Sequence, residues 1–118
     1  MRGVKKGPPG RSRDLFGFLD IVALDGQPGV LGIQATSRTN VVARIKKIFG
    51  HPQKPGDEGI AAGLKVVNNC RDWLEAGNRV QVWGWYTKPA GKRRRHQLVI
   101  YEILLRRNKL VAEKVELP

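Results

Sequence analysis

Cysteine is almost missing from this chain. The single one, Cys70, excludes an internal disulfide and a cysteine-rich zinc site. Histidine is nearly as scarce. His51 and His96 both lie in or beside loop and basic segments, and a catalytic triad has little to draw on. There is no glycine-rich P-loop, no GxSxG, no paired-ligand zinc spacing and no Rossmann fingerprint. No apolar run approaches the roughly 20 residues of a membrane span. The basic N-terminus lacks the apolar stretch of a secretory signal. With one thiol and no leader, a reducing cytoplasmic setting is the expectation.

Negative charge is also in short supply. Ten Asp and Glu face 22 Lys and Arg, for a formal net charge of +12 over 118 residues. Such a field favours polyanions and speeds encounter with them. Nucleic acid, DNA foremost, is the expected partner. A membrane surface is not, because the cations do not fall on one long amphipathic helix. Hydrophobic residues make up 41%, enough for one modest core.

The stretch from Asp14 to Ile48 organises the rest. Ile21-Val22-Ala23-Leu24 is a continuous apolar run, as expected of a central strand buried on both faces. Asp25 to Gly29 is dense in turn formers, and Val30 to Thr36 reads as a second strand. If the five residues form the loop of an antiparallel hairpin, Leu24 faces Val30, Val22 faces Gly32 and Asp20 faces Gln34. Thr36, two residues on, points to the same side. A carboxylate, an amide and a hydroxyl then share one patch of sheet. A slip of one residue would scatter them.

An Asp opening one strand, an acidic-x-Lys tripeptide on its hairpin partner and a basic helix after it form the core of the PD-(D/E)xK nuclease superfamily. This sequence resembles a divergent member, nearest to small Holliday-junction-resolvase-like or VRR-NUC-like domains. Gly17-Phe18-Leu19-Asp20 matches the approach to the first motif, and Gly32-Ile33-Gln34-Ala35-Thr36 sits at the second. Gln34 stands in place of the usual acid and Thr36 in place of the usual Lys. The likeness covers about residues 14–86. It implies an α/β fold with a mixed central sheet flanked by helices, a restriction-endonuclease-like core lacking the usual first helix. Dimerisation could compensate for that helix. It also implies Mg²⁺ or Mn²⁺, held by Asp20, the Gln34 side-chain oxygen and the Ala35 carbonyl, with Thr36 beside them. Such a metal polarises a phosphodiester and lowers the pKa of a bound water. Lys46, Lys47 or Arg44 from the following helix would take the missing Lys role, and Asp14 could add a carboxylate.

Outside that stretch, Met1 to Arg13 holds five cations around Gly-Pro-Pro-Gly. It reads as a flexible basic arm that brings Arg11 and Arg13 near the site, ahead of one domain over 14–118. Thr39 or Asn40 is placed to cap a helix with an apolar stripe of Val41, Ile45, Ile48 and Phe49, closed by Gly50. His51 to Gly63, with two prolines and three glycines, reads as a loop and His51 as polar surface. A second helix is predicted over about Lys65 to Ala76, with Cys70 on its buried stripe. Arg79 to Tyr86 is a strand. Its Val80 and Val82 share one face, and Gln81, Trp83 and Trp85 the other, the tryptophans packing against a helix or stacking on bases. Thr87 to Arg95 reads as a hairpin loop carrying Lys92, Arg93, Arg94 and Arg95 along phosphates, and joining the strands on either side of it into a hairpin. Gln97 to Leu105 is a strand with Glu102 set to pair with a cation, and the segment from Arg106 an edge strand. With Arg38 and Arg44, these cations are the expected nucleic-acid contacts. Two further readings stand beside the nuclease: a non-catalytic nucleic-acid-binding domain, which Gln34 and Thr36 favour, and a protein-interaction module with an acidic partner.

Overall fold

The computed structural model describes residues 15–117; the basic arm with Arg11 and Arg13, and Asp14, lie outside the described residues. Five strands form one mixed sheet in the order β1 (Ile21–Ala23), β2 (Leu31–Ser37), β3 (Arg79–Ala90), β4 (Arg93–Arg106), β5 (Lys109–Val115). Only β2 and β3 run parallel. A parallel pair needs a long crossover. It is supplied by a 3-10 turn, Arg38–Asn40, then α1 (Val41–Ile48) and α2 (Gly56–Glu75).

Alternation along the strands sorts the side chains. Val80, Val82, Tyr101 and Ile103 fall on the face that receives both helices. There they pack with Phe18, Leu19, Val41, Ile48 and Cys70 as the core, with Ile45, Val66, Trp73 and Leu74 against it. The helices therefore cover one face of the sheet rather than flanking both. Trp83 and Trp85 lie on the opposite face, edge to face at 6.5 Å, and no described helix packs over them. Trp83 donates its indole N–H to Gln81 instead.

Three stretches depart from the sequence reading. The run Ile21 to Leu24 is not a central strand. It lies at the sheet edge with Ile21, Val22 and Leu24 exposed, because among the described residues nothing pairs beyond it. The loop expected over His51 to Gly63 is largely helix, for α2 begins at Gly56 with Asp57 and Glu58 in its first turn, where the helix dipole favours acids. Its glycines mark close packing, not irregular chain. A methyl on Gly59 would sit 1.8 Å from the Lys54 carbonyl oxygen, and one on Gly63 2.3 Å from that of Gly50. The β3–β4 hairpin is present as expected, but its loop is far shorter than Thr87 to Arg95. The basic segment is strand on both sides of a two-residue turn, Gly91-Lys92, with Lys88 opposite Arg95 and Ala90 opposite Arg93.

Asn40 occupies the N-cap position of α1, yet its side chain bonds the Ser37 hydroxyl and not a helix amide. Glu102 takes its hydrogen bond from the Gln81 amide at 3.4 Å and makes no ion pair with a described cation. β5 is an edge strand, as expected. Cys70 is fully buried, and loss of water around it pushes its thiol pKa up to about 12. Among the described residues no helix is long and apolar enough to cross a membrane.

Candidate nucleic-acid interface

The hairpin register is the one the turn predicts. Val22 pairs with Gly32 and Ile21 with Ile33, and the Asp20 amide reaches the Ile33 carbonyl at 2.9 Å, so Asp20 stands beside Gln34. Local sequence fixes this placement. Residues Leu15 to Leu19 close a tight turn, with Phe16 and Gly17 at positive φ, that drives Phe18 and Leu19 into the core. The Leu19 side chain fills the space a Cβ on Gly32 would need, 2.6 Å from its nearest methyl. With Leu19 seated, the next residue must fall at the Gln34 position.

At that position the polar groups close on one another. The Asp20 carboxylate oxygen Oδ2 accepts the Gln34 side-chain N–H at 2.7 Å and the Ala35 backbone N–H at 2.9 Å. Gln34 is only 1% exposed, and its Oε1 is buried with no hydrogen-bond partner. Leaving such an acceptor unpaired costs about 1–3 kcal/mol. The expected metal set was Asp20 with two neutral oxygens, from Gln34 and Ala35. The arrangement presents N–H donors from both residues to Asp20 instead. Among the described residues no three His, Cys, Asp or Glu side chains form a group that could hold a metal ion. A hard divalent cation asks for several oxygens at short range; among the described residues of this cluster the anionic oxygens are those of Asp20.

Of the helix cations, Lys46 is exposed and Arg44 half-buried, and neither bonds Asp20. Lys47 is half-buried and lines a cavity of about 190 Å³ together with His51 and Lys54. Thr36 shares the Gln34 face, opposite Gly84 of β3.

Beyond Thr36 the same face turns basic. Arg38 leaves the end of β2 and rests over the Tyr86 ring, 4.1 Å from its centroid. Further out come Lys88 and Arg95, directly opposed and exposed, then Lys92 and Arg93 at the tip. Arg94 alternates to the other face, where its guanidinium donates twice to the Thr87 hydroxyl, at 2.8 and 3.1 Å. Between Thr87 and Tyr101 there are five Lys and Arg and no acid. Like charges directly across a ladder repel, by a few tenths of a kcal/mol to about 1 kcal/mol.

Sequence reasoning did not single out Tyr86, Tyr101 or Lys114, which share this face with Arg38. The signal was available: period-two alternation through β3 and β4 puts Tyr86 and Tyr101 on the Val82 side. Away from this end, Asp25 pairs with Arg79, whose guanidinium hydrogen bond holds the carboxyl below its ordinary value.

No protein-family model, no curated protein and no solved structure matches this chain.

Proposed function

We propose that this chain is a DNA-binding domain that grips the phosphate backbone with the basic end of its sheet. The observation that carries the reading is the β3–β4 arm. A fully paired hairpin holds Lys88 against Arg95 with Arg93 and Lys92 at its tip, all exposed and none bonded to a described acid. A protein that only needed solubility would not set two cations face to face on a ladder. A polyanion lying along the arm turns that repulsion into attraction. Contacts of this kind position a strand without reading its bases. The order hairpin, helical crossover, parallel strand, together with the shared face of Asp20, Gln34 and Thr36, supports a PD-(D/E)xK-like core lacking its first helix, of which this is a degenerate form.

The test is DNA affinity against salt. Each phosphate neutralised contributes about −0.9 to the slope of log K on log salt. The double variant Lys88→Gln/Arg95→Gln should flatten that slope by about 2 and weaken binding at every sequence tried. An unchanged slope, or no binding by the wild-type chain at low salt, overturns the reading. Binding to an acidic polypeptide but not to DNA points to a protein-interaction module.

The second reading is a Mg²⁺- or Mn²⁺-dependent endonuclease. The register that sets Asp20 beside Gln34 favours it, and the N–H groups turned toward Asp20 weigh against it. Metal-dependent nicking abolished by Asp20→Ala would establish it.

A further inference from the structure

One cavity on the helix-bearing face belongs to neither the Asp20 cluster nor the hairpin arm. It measures about 200 Å³ and lies between the start of α1 and strands β3 to β5. Arg38 and Lys114 reach it from opposite sides. Tyr86 and Tyr101 stand between them, and Val41 and Val99 form an apolar floor. No carboxylate lines it, and neither cation bonds a described acid. Two like charges brought into one cleft over an apolar floor raise the local potential more than they would in open water.

The fold spends sequence on this arrangement. A Cβ on Gly84 would lie 2.3 Å from a Val41 methyl and 3.0 Å from the Arg38 Cα. Only a residue without a side chain lets the 3-10 turn settle against β3 and set Arg38 over Tyr86. That cation–π contact, at 4.1 Å, holds the guanidinium in place before any ligand arrives. At the start of α1 the Val41 amide donates to the Arg38 carbonyl, which ties the 3-10 turn to the helix beside the cavity. Across the sheet, register puts Asp20, Gln34, Val82, Tyr101 and Lys114 in one row, with Tyr86 four residues further along β3 toward the arm.

We propose that this cavity is an anchoring site for one backbone phosphate of the bound strand. Arg38 and Lys114 supply the charge, and the Tyr86 and Tyr101 hydroxyls are hydrogen-bond donors. The site rests on the DNA-binding reading for its ligand, but the phosphate chemistry of the cavity can be tested apart from it. Arginine supplies a planar fork of donors and lysine a point charge, a pairing suited to an oxyanion held from two sides.

Two measurements on the full chain decide the matter. Inorganic phosphate titrated into ¹⁵N-labelled wild-type protein should move the amide signals of Val41, Val42 and Tyr86 in a saturable way, and Arg38→Gln/Lys114→Gln should abolish the effect. The same double variant should lower the slope of log K for DNA on log salt by about 2, additively with Lys88→Gln/Arg95→Gln. If DNA binds with the wild-type slope and phosphate moves no signal near α1, the phosphate site is refuted and the DNA reading survives. If phosphate binds at the cavity and DNA does not bind at all, the anion site survives and the DNA reading falls. Phosphate shifts that persist in the double variant assign the anion elsewhere and refute the site.

Discussion

The Gln34 side-chain amide donates to the Asp20 carboxylate at 2.7 Å, and the oxygen of that same amide is buried without a partner. One end of the side chain is satisfied by an acid and the other by nothing. Gln34→Glu would place a second carboxylate against the first. Its folded-state pKa would rise, so the penalty is present at neutral pH and vanishes as pH falls below the unfolded value near 4.3. A loss of about 1–3 kcal/mol at pH 7 is expected, recovered on acidification. Manganese should also restore stability to this variant and leave the wild type unmoved, read as a rise in Tm. A variant with wild-type stability across the pH range would show that the two side chains do not interact.

Asp25 and Arg79 form the ion pair that ties the β1–β2 turn to the start of β3. The guanidinium lowers the Asp25 pKa. A lowered carboxylate contributes stability that is present above its unfolded pKa and lost as pH falls through the folded one. Below about pH 4, then, the wild type should shed more stability than Asp25→Asn. Denaturant unfolding at pH 5 and pH 2.5 compares them, and equal losses would show the pair to be energetically silent.

Gly63→Ala is a case where helix propensity and packing disagree. Alanine favours an exposed helix interior by about 1 kcal/mol over glycine. Here the new methyl would sit 2.3 Å from the Gly50 carbonyl oxygen. Backbone cannot give way as a side chain can, and overpacking costs about 1–3 kcal/mol. The urea midpoint should fall, and a rise would mean that the segment before α2 is not held against it.

Cys70 should be inert while the protein is folded. Burial removes both access and thiolate, with the pKa pushed up to about 12. Alkylation at pH 8 should follow the global unfolding rate, and Cys70→Ser should cost about 1–3 kcal/mol by burying a hydroxyl among apolar side chains. Rapid modification under native conditions would contradict the core placement.

The basic arm predicts opposite signs for stability and binding. Removing the Lys88 and Arg95 charges relieves their repulsion across the ladder. Lys88→Gln/Arg95→Gln should therefore be more stable than wild type, by up to about 1 kcal/mol, while binding DNA less well. Differential scanning calorimetry beside the binding assay checks both. A less stable variant would mean that the two cations have favourable partners in the free protein.

What could be read from sequence was what depends on short-range rules. The five-residue turn fixed the register of Asp20 against Gln34, and the i, i+4, i+7 stripe located α1. What could not be read depends on partners distant in the chain. Gly59 and Gly63 look like loop residues until the close approach of residues 50 to 54 is known. The apolar run at Ile21 carries no mark of lying at an edge, since edges are defined by a missing neighbour. Cations from Lys88 to Arg95 resemble a loop because charge runs usually are loops, and only pairing across Gly91-Lys92 makes them an arm. The direction in which the Gln34 amide turns is likewise invisible in sequence.

Each residue of β2 pairs with one 48 positions downstream in β3, whereas β3, β4 and β5 are joined by tight reversals. Closing the long segment loses more chain entropy than closing the short ones. The three-strand meander should thus assemble first, and docking of β2 with its helices last. Arg38 arrives over Tyr86 only in that final event. A molecule that loosens locally would still display the charged arm and yet lack the paired cations of the cavity, so tight retention of a strand becomes a report on whether the whole fold has been completed.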